Sequence, residues 1–232
     1  MILNNVIEAT FLERQNRFVW LWKIDNQLVK FHIWDTGALP NLLFAWNKIL
    51  LQNLSWWKRK YNFRLIASKW ILWNYVLTNS LLHSALVREY LDKQNILYKP
   101  EVSVWNSRID FLLEGETYVE IKWCTLFKKV NNEIFWMFPD APTTRWQKHL
   151  QELIQLRKQG INTQIWFLLS EKIDKFMPNF EIDKNFSLLF NDFLFTWWKV
   201  NFLYANLRFY GRNVELSLEK LTNVEILAFK NL

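Results

Sequence analysis

The chain has 232 residues, 29 of them basic and 22 acidic, with one cysteine and 51% hydrophobic positions. That length builds one large domain or two small ones, and 22% charged with 18% aromatic residues excludes a disordered or fibrous chain. Cys124 has no second cysteine to pair with, so nothing points to an oxidising compartment, and the net charge of +7 is compatible with a polyanionic partner without identifying one.

Glu8, Glu13 and Arg14 interrupt any apolar start, so no secretory signal is expected. The longest stretch without Lys, Arg, Asp or Glu runs from Trp70 to Val87 and carries Asn74, Thr78, Asn79, Ser80, His83 and Ser84, too polar for a spanning helix. A soluble, cytoplasmic protein with no membrane partner is the expectation.

Short strands are predicted over Arg17–Ile24, Leu28–Ile33, Lys48–Gln52, Phe63–Ser68 and Trp73–Thr78, separated by turn-like pieces such as Asp25-Asn26 and Asp35-Thr36-Gly37. Five short strands in under 80 residues suit a small barrel of the oligonucleotide-binding (OB) type, or else a β-rich flap on the next domain. From Ser80 the period becomes helical, through Leu81, Leu82, Ala85, Leu86, Tyr90 and Leu91, with Asn79 or Ser80 able to cap the start. Strands follow at Glu101–Trp105, Ser107–Leu113 and Thr117–Trp123. A helix over about Thr143–Gln159 ends at Gly160. A strand at Gln164–Leu169, a helix near Asp183–Phe195 and a hairpin from Val200 to Leu218 complete a mixed α/β arrangement. The division expected is 1–78 for the barrel and 79–232 for the second domain.

The segment 107–122 carries the chemistry. Ile109, Phe111 and Leu113 share one face of the first arm, and Val119 and Ile121 one face of the second. Bringing both sets into one core sets Phe111 opposite Val119 and Ile109 opposite Ile121. Asp110 then falls opposite Glu120 on the other face, with Lys122 beside them, and the Glu114-Gly115-Glu116 connection must be an odd-length loop or a bulge. Opposed carboxylates repel unless neutralised. They suit a hard divalent cation such as Mg2+ or Mn2+, with the lysine orienting water or stabilising charge on a phosphate. The alternative is a solvated charge ladder of Arg108, Asp110, Glu120 and Lys122 on an outer sheet face.

At these residues a family resemblance becomes specific. Ser-Arg-Ile-Asp-Phe-Leu-Leu at 107–113, Val-Glu-Ile-Lys at 119–122, Thr125-Leu126, Phe-Pro-Asp-Ala at 138–141, and Thr144-Arg145 with Lys148-His149-Leu150 resemble the sugar fermentation stimulation protein A family. Asn16-Arg17-Phe18, His32, Asp35-Thr36-Gly37 and Arg59-Lys60-Tyr61 extend the likeness to nearly the whole chain. The resemblance implies an α+β protein, an OB-fold-like β-barrel followed by a restriction-endonuclease-like, PD-(D/E)xK, α/β domain. It also implies DNA as partner. In that nuclease fold an Asp and then Glu-x-Lys carry metal-dependent phosphodiester cleavage, which places catalytic roles on Asp110, Glu120 and Lys122.

The resemblance adds Glu101 as a further metal ligand or water-positioning base, against a plain strand-end charge. Asp140, Arg145 and His149 form a second candidate cluster: Arg145 and His149, four apart on one helical face, could meet a phosphate, with Asp140 either catalytic beside them or, like Thr143, a cap of that helix. Arg17, Arg59, Lys60, Arg108, Arg145 and His149 form the expected nucleic-acid path. His32 and His83 read as ordinary polar residues. A DNA-binding protein with a nuclease site is the first functional reading, a non-catalytic DNA-binding regulator of sugar-utilisation genes the second, and a hydrolase of a small phosphate substrate the third. A homodimer is compatible with each.

Fifteen tryptophans accompany only 4 glycines, where a chain this long ordinarily holds roughly 16 glycines. Trp46, Trp105 and Trp146 stand where the family usually has glycine, and Trp56-Trp57 and Trp197-Trp198 precede lysines in expected turns. Some bacteria read UGA as glycine, and a translation that assigns it to tryptophan gives this pattern. The rival is an aromatic surface for stacking on bases, which should cluster in one groove rather than scatter over turns. Ala38, where the family tends to have arginine, weakens any DNA contact there.

Overall fold

The computed structural model describes residues 1–14, 19–24, 27–32, 39, 42–55, 61–70, 74–105, 107–130, 133–195 and 199–227. Arg17, Asp35-Thr36-Gly37, Ala38, Trp56-Trp57, Arg59, Lys60 and Trp197-Trp198 lie outside them. In chain order come β1 (Ile2–Asn4), β2 (Val6–Arg14), β3 (Val19–Ile24), β4 (Gln27–His32), β5 (Lys48–Asn53), β6 (Phe63–Lys69), β7 (Tyr75–Leu77) and helix α1 (Ser80–Lys93). Next are β8 (Tyr98–Val104), β9 (Ser107–Leu113), β10 (Thr117–Cys124), β11 (Leu126–Val130), β12 (Glu133–Phe138) and α2 (Thr144–Lys158). Then follow β13 (Asn162–Leu169), β14 (Lys175–Pro178), α3 (Lys184–Phe195), β15 (Lys199–Tyr210), β16 (Asn213–Leu221) and β17 (Glu225–Ile226).

The chain forms two compact units. The first comprises Met1–Glu89 with Ala205–Ser217, the second Tyr90–Tyr204 with the described residues from Leu218 onward. These bounds differ from the 78/79 division by carrying the first unit through most of α1 and by returning part of the last hairpin to it.

In the first unit the strands run β4-β3-β2-β5-β6-β7, and a parallel contact of His32 with Arg64 joins β4 to β6. That contact closes a five-stranded barrel, with β7 added on β6. Register shifts at Phe11/Glu13 and at Leu50/Leu51 supply the bulges that let short strands coil into a closed ring. Val6, Phe11, Ile49, Leu50, Leu51 and Ile66 are buried in this unit. The sequence expectation placed no strand before Arg17, yet β2 is nine residues long. Its buried positions, Val6, Ala9 and Phe11, break strict alternation, so a two-residue period does not reveal it.

In the second unit β15-β13-β10-β9-β8 form one sheet, with β13 parallel to both β10 and β15. A second sheet, β11-β12-β14-β17, was not expected from the sequence. The core is aromatic. The Phe167 ring lies 4.5 Å from Phe176, 5.4 Å from Phe138, 5.7 Å from Phe202 and 5.8 Å from Phe190. Such ring pairs add to the apolar area already buried.

The helix ends follow their side chains. The Asn79 side-chain oxygen accepts from Leu81 N–H at the start of α1, and Thr143 Oγ1 from Trp146 N–H at the start of α2. Gly160, at φ +82°, donates to Arg157 O, and Ile161 donates to Leu156 O, a left-handed close that strongly favours glycine. Asp183 ties two helix starts together, accepting from Phe186 N–H at 2.9 Å, Thr143 N–H at 3.0 Å and the Gln147 amide at 2.9 Å. Asp183→Ala removes a cap and a tether at once. It should cost about 2 kcal/mol in urea denaturation, whereas an isolated exposed cap would cost about 1.

Candidate active site

The β9–β10 hairpin turns over three residues, Glu114 to Glu116, with Leu113 paired to Thr117 and Phe111 to Val119, as the apolar register requires. Glu114 and Gly115 both take positive φ, and Glu116 N–H donates to Leu113 O. At Asp110 the ladder gives way, and the carboxylate itself accepts the Ile121 N–H at 2.7 Å. Asp110 is thus held by backbone, one residue from Glu120.

The face carrying these acids is not solvated. Glu120 and Lys122 are 3% and 4% exposed, beneath α2. Lys122 Nζ donates to Glu120 Oε1 at 2.6 Å. His149 Nδ1 lies 2.7 Å from the same oxygen; because a carboxylate only accepts, that nitrogen carries the proton. The Trp146 indole lies against the Lys122 ammonium. Leu150, Leu153, Ile165, Phe167 and Phe186 line the remaining space, about 10 Å3, room for at most one water. The solvated-ladder alternative therefore does not hold for Glu120 and Lys122.

Electrostatics separate the three groups. Burial, reinforced by the charge of Glu120, raises Asp110 to about 6, against the pull of Lys122 and the Ile121 amide. Burial pushes Glu120 upward too, but the Lys122 ammonium and His149 outweigh it and hold the carboxyl below its ordinary value. Burial lowers Lys122 to about 8, resisted by Glu120 and Asp110. The site thus pairs an ionised glutamate with a lysine whose proton is loosened, beside an aspartate that titrates near neutrality.

The other expected residues divide. Glu101 takes φ +56° on β8 and falls opposite Asp110 between the pairs Pro100↔Phe111 and Val102↔Ile109. Its carboxylate turns to Arg108, 3.4 Å away, and both side chains are at least half exposed. Glu101 is therefore a rim charge, near enough to Asp110 for its own charge to help raise that carboxyl. Among the described residues no group of three or more His, Cys, Asp or Glu is placed to hold a metal. Arg145 is exposed yet near enough to depress Lys122 slightly. His149, expected on the phosphate path, is buried against Glu120, so it positions the carboxylate and cannot meet a phosphate at the surface. The spacing to Arg145 gives the shared helical side but not its depth.

What the donor set can hold follows from its free oxygens. Glu120 Oε2 is buried without a partner, and an orphaned carboxylate oxygen beside a second carboxylate is the donor type a hard cation takes. Mg2+ and similar ions keep several waters and bind through one or two carboxylates. Asp110 and Glu120 fit that demand.

Known proteins share this architecture. The sugar fermentation stimulation protein RE domain matches residues 76–204, and the SfsA N-terminal OB domain matches 12–72. A sugar fermentation stimulation protein homolog of Thermosipho melanesiensis is 40% identical over 185 residues, covering 80% of this chain and 81% of that protein. A homolog of Methanosphaera stadtmanae is 32% identical over 241 residues, covering 97% and 98%. The solved structure of Pyrococcus furiosus SfsA in complex with Ca2+ superposes with a TM-score of 0.77 at 24% identity, covering 93% of this chain and 95% of that one. The fold is thus an OB barrel followed by a nuclease-type α/β domain. No described helix is long and apolar enough to cross a membrane. With family models spanning both domains and full-length relatives above 30% identity, the chain belongs to the sugar fermentation stimulation protein family.

Proposed function

We propose that this protein binds DNA in the cytoplasm and hydrolyses its phosphodiester bonds at the Asp110–Glu120–Lys122 site. One observation carries the reading: a buried Glu-x-Lys pair beside a backbone-held aspartate, with Glu120 Oε2 left unsatisfied. A buried acid that serves only stability is ordinarily fully hydrogen-bonded. Asp110 and Glu120 would hold Mg2+ or Mn2+, and the complex of Pyrococcus furiosus SfsA with Ca2+ supports a divalent ion in this family. The ion would supply Lewis acidity, lowering the pKa of a bound water and neutralising phosphate charge.

The chain's own groups do the rest. His149 fixes the Glu120 carboxylate by holding Oε1 together with Lys122, leaving Oε2 without a hydrogen-bond partner. Lys122, with its pKa lowered to about 8, can steady the attacking water or the developing phosphate charge. Arg108 and Arg145 are exposed near the site and would meet backbone phosphates; Arg17, Arg59 and Lys60 are the further basic residues proposed to bind the nucleic acid. The OB barrel supplies the second nucleic-acid surface.

The second reading, a DNA-binding regulator that does not cleave, is favoured by the closure of the site, where the indole covers Lys122. A cleavage assay on single- and double-stranded DNA, titrated with Mg2+ and Mn2+, separates the two. Cleavage that is lost in Asp110→Ala while DNA binding survives supports the nuclease. Binding without cleavage at any metal concentration, in this protein and in Trp146→Gly alike, supports the regulator.

A further inference from the structure

We propose that the side chain at position 146 decides whether the Asp110–Glu120–Lys122 site is open or shut, the tryptophan acting as a plug. This rests on reading that site as catalytic. The indole sits on the Lys122 ammonium and packs edge-on against Phe138, 5.4 Å between ring centres, with His149 6.0 Å away on its other flank. Position 146 is on the first turn of α2, where Thr143 Oγ1 accepts from its backbone N–H, a bond that does not depend on the side chain. With about 10 Å3 left beside Glu120 and Lys122, neither a hydrated cation nor a phosphate fits. Removing the indole takes away the ring that lies against the ammonium, while the other lining groups stay with the sheet, α2 and α3.

The test reads the accessibility of Lys122 directly, independent of catalysis. The full-length protein and its Trp146→Gly, Trp146→Ala and Trp146→Phe variants are acetylated at pH 8, and labelling of Lys122 is followed by peptide mass against Lys148, which is half-exposed on the same helix. Trp146→Gly and Trp146→Ala should label Lys122 faster by an order of magnitude or more, with Lys148 unchanged and Trp146→Phe staying near the parent. Alanine keeps the helix favourable should glycine weaken it. Equal Lys122 labelling in all four proteins overturns the proposal. Cleavage by the parent equal to that by Trp146→Gly overturns the plug and spares the nuclease, whereas a labelled Lys122 without cleavage under Mg2+ or Mn2+ supports the plug and removes the nuclease.

A separate observation carries a second inference, that Trp46 and Trp105 stand for glycines in the protein the cell makes. Both adopt left-handed backbone, φ +71° and +46°, where a side chain is disfavoured, and both are exposed, 71% and 53%. Trp105 lies in the two-residue connection between β8 and β9, a turn that favours Gly or Asn. Burial of the ring, the usual reason to keep tryptophan, is missing at both. With 15 Trp to 4 Gly in the chain, a codon read as glycine in the cell and written as tryptophan accounts for the two together. Glycine at 146 by the same route would leave the site open. The codons in the gene and peptide masses of protein purified from the source organism decide it. UGA codons and glycine masses at 46 and 105 are expected; UGG, or tryptophan by mass, at either position overturns the inference.

Discussion

Glu120→Ala should cost this protein more stability than any other single change at the site, about 3–5 kcal/mol in urea denaturation at pH 7. The substitution removes the acceptor shared by Lys122 Nζ and His149 Nδ1 and strands an ammonium that is 4% exposed. Against a total stability of about 5–15 kcal/mol, such a loss is a large fraction. Two controls separate the stranded charge from simple truncation. Adding Lys122→Met to Glu120→Ala should recover much of the loss, because the cost lies in the uncompensated cation and not in the missing methylenes. Raising the pH should recover part of it as well: burial already lowers Lys122 to about 8, and losing Glu120, which resists that shift, lowers it further. The penalty exists only while Lys122 is charged in the folded protein, so it fades as pH rises through the lowered value. A double variant as unstable as Glu120→Ala alone, at every pH, would contradict the buried pair.

The hairpin that builds this site was legible because its evidence is local. Ile109, Phe111 and Leu113 alternate, as do Val119 and Ile121, and a single core for both arms leaves one register and one parity for the loop; the structure keeps Phe111 opposite Val119 and a three-residue connection. What covers the opposite face was not legible. Alternation says that Asp110, Glu120 and Lys122 leave the core side, and only the packing of α2 shows that a second buried layer, not water, receives them. The same limit explains His149. A spacing of four residues gives it a helical side shared with Arg145, but one further turn moves it from the exposed entrance to the carboxylate beneath. The pairing of Glu101 with Arg108 was not legible either: Glu101 takes a positive φ, and nothing in Lys99-Pro100-Glu101-Val102 announces that. The sheet β11-β12-β14-β17 escaped because its pieces are short and its pairings long-range, with β14 only four residues and ending in Pro178.

Asp110→Asn should separate function from stability in opposite directions. Folding carries the Asp110 carboxyl from an ordinary value near 3.8 to about 6, chiefly by burial and then by the charge of Glu120. A group whose pKa is raised on folding favours the folded state below its unfolded value, and that contribution is lost as pH rises through the folded one. For Asp110 the window is therefore about 4 to 6, and at pH 7 the ionised form costs up to about 3 kcal/mol. Asparagine keeps the acceptor for the Ile121 N–H, 2.7 Å away in the parent, and carries no charge. Urea midpoints should thus show Asp110→Asn more stable than the parent at pH 7, with the advantage shrinking to nothing near pH 4. In the Trp146→Gly background, cleavage should fall by about 100-fold or more on Asp110→Asn if the carboxylate holds a cation. With the indole removed, Mg2+ should then raise the melting temperature of Trp146→Gly at pH 7, since an ion bound only by the folded protein offsets the charge repulsion between Asp110 and Glu120, and should leave the Trp146→Gly/Asp110→Asn double variant almost unmoved. A variant no more stable than the parent at pH 7 would mean that the carboxylate is better solvated than its burial implies. An equal response of both proteins to Mg2+ would remove Asp110 from the ion's shell.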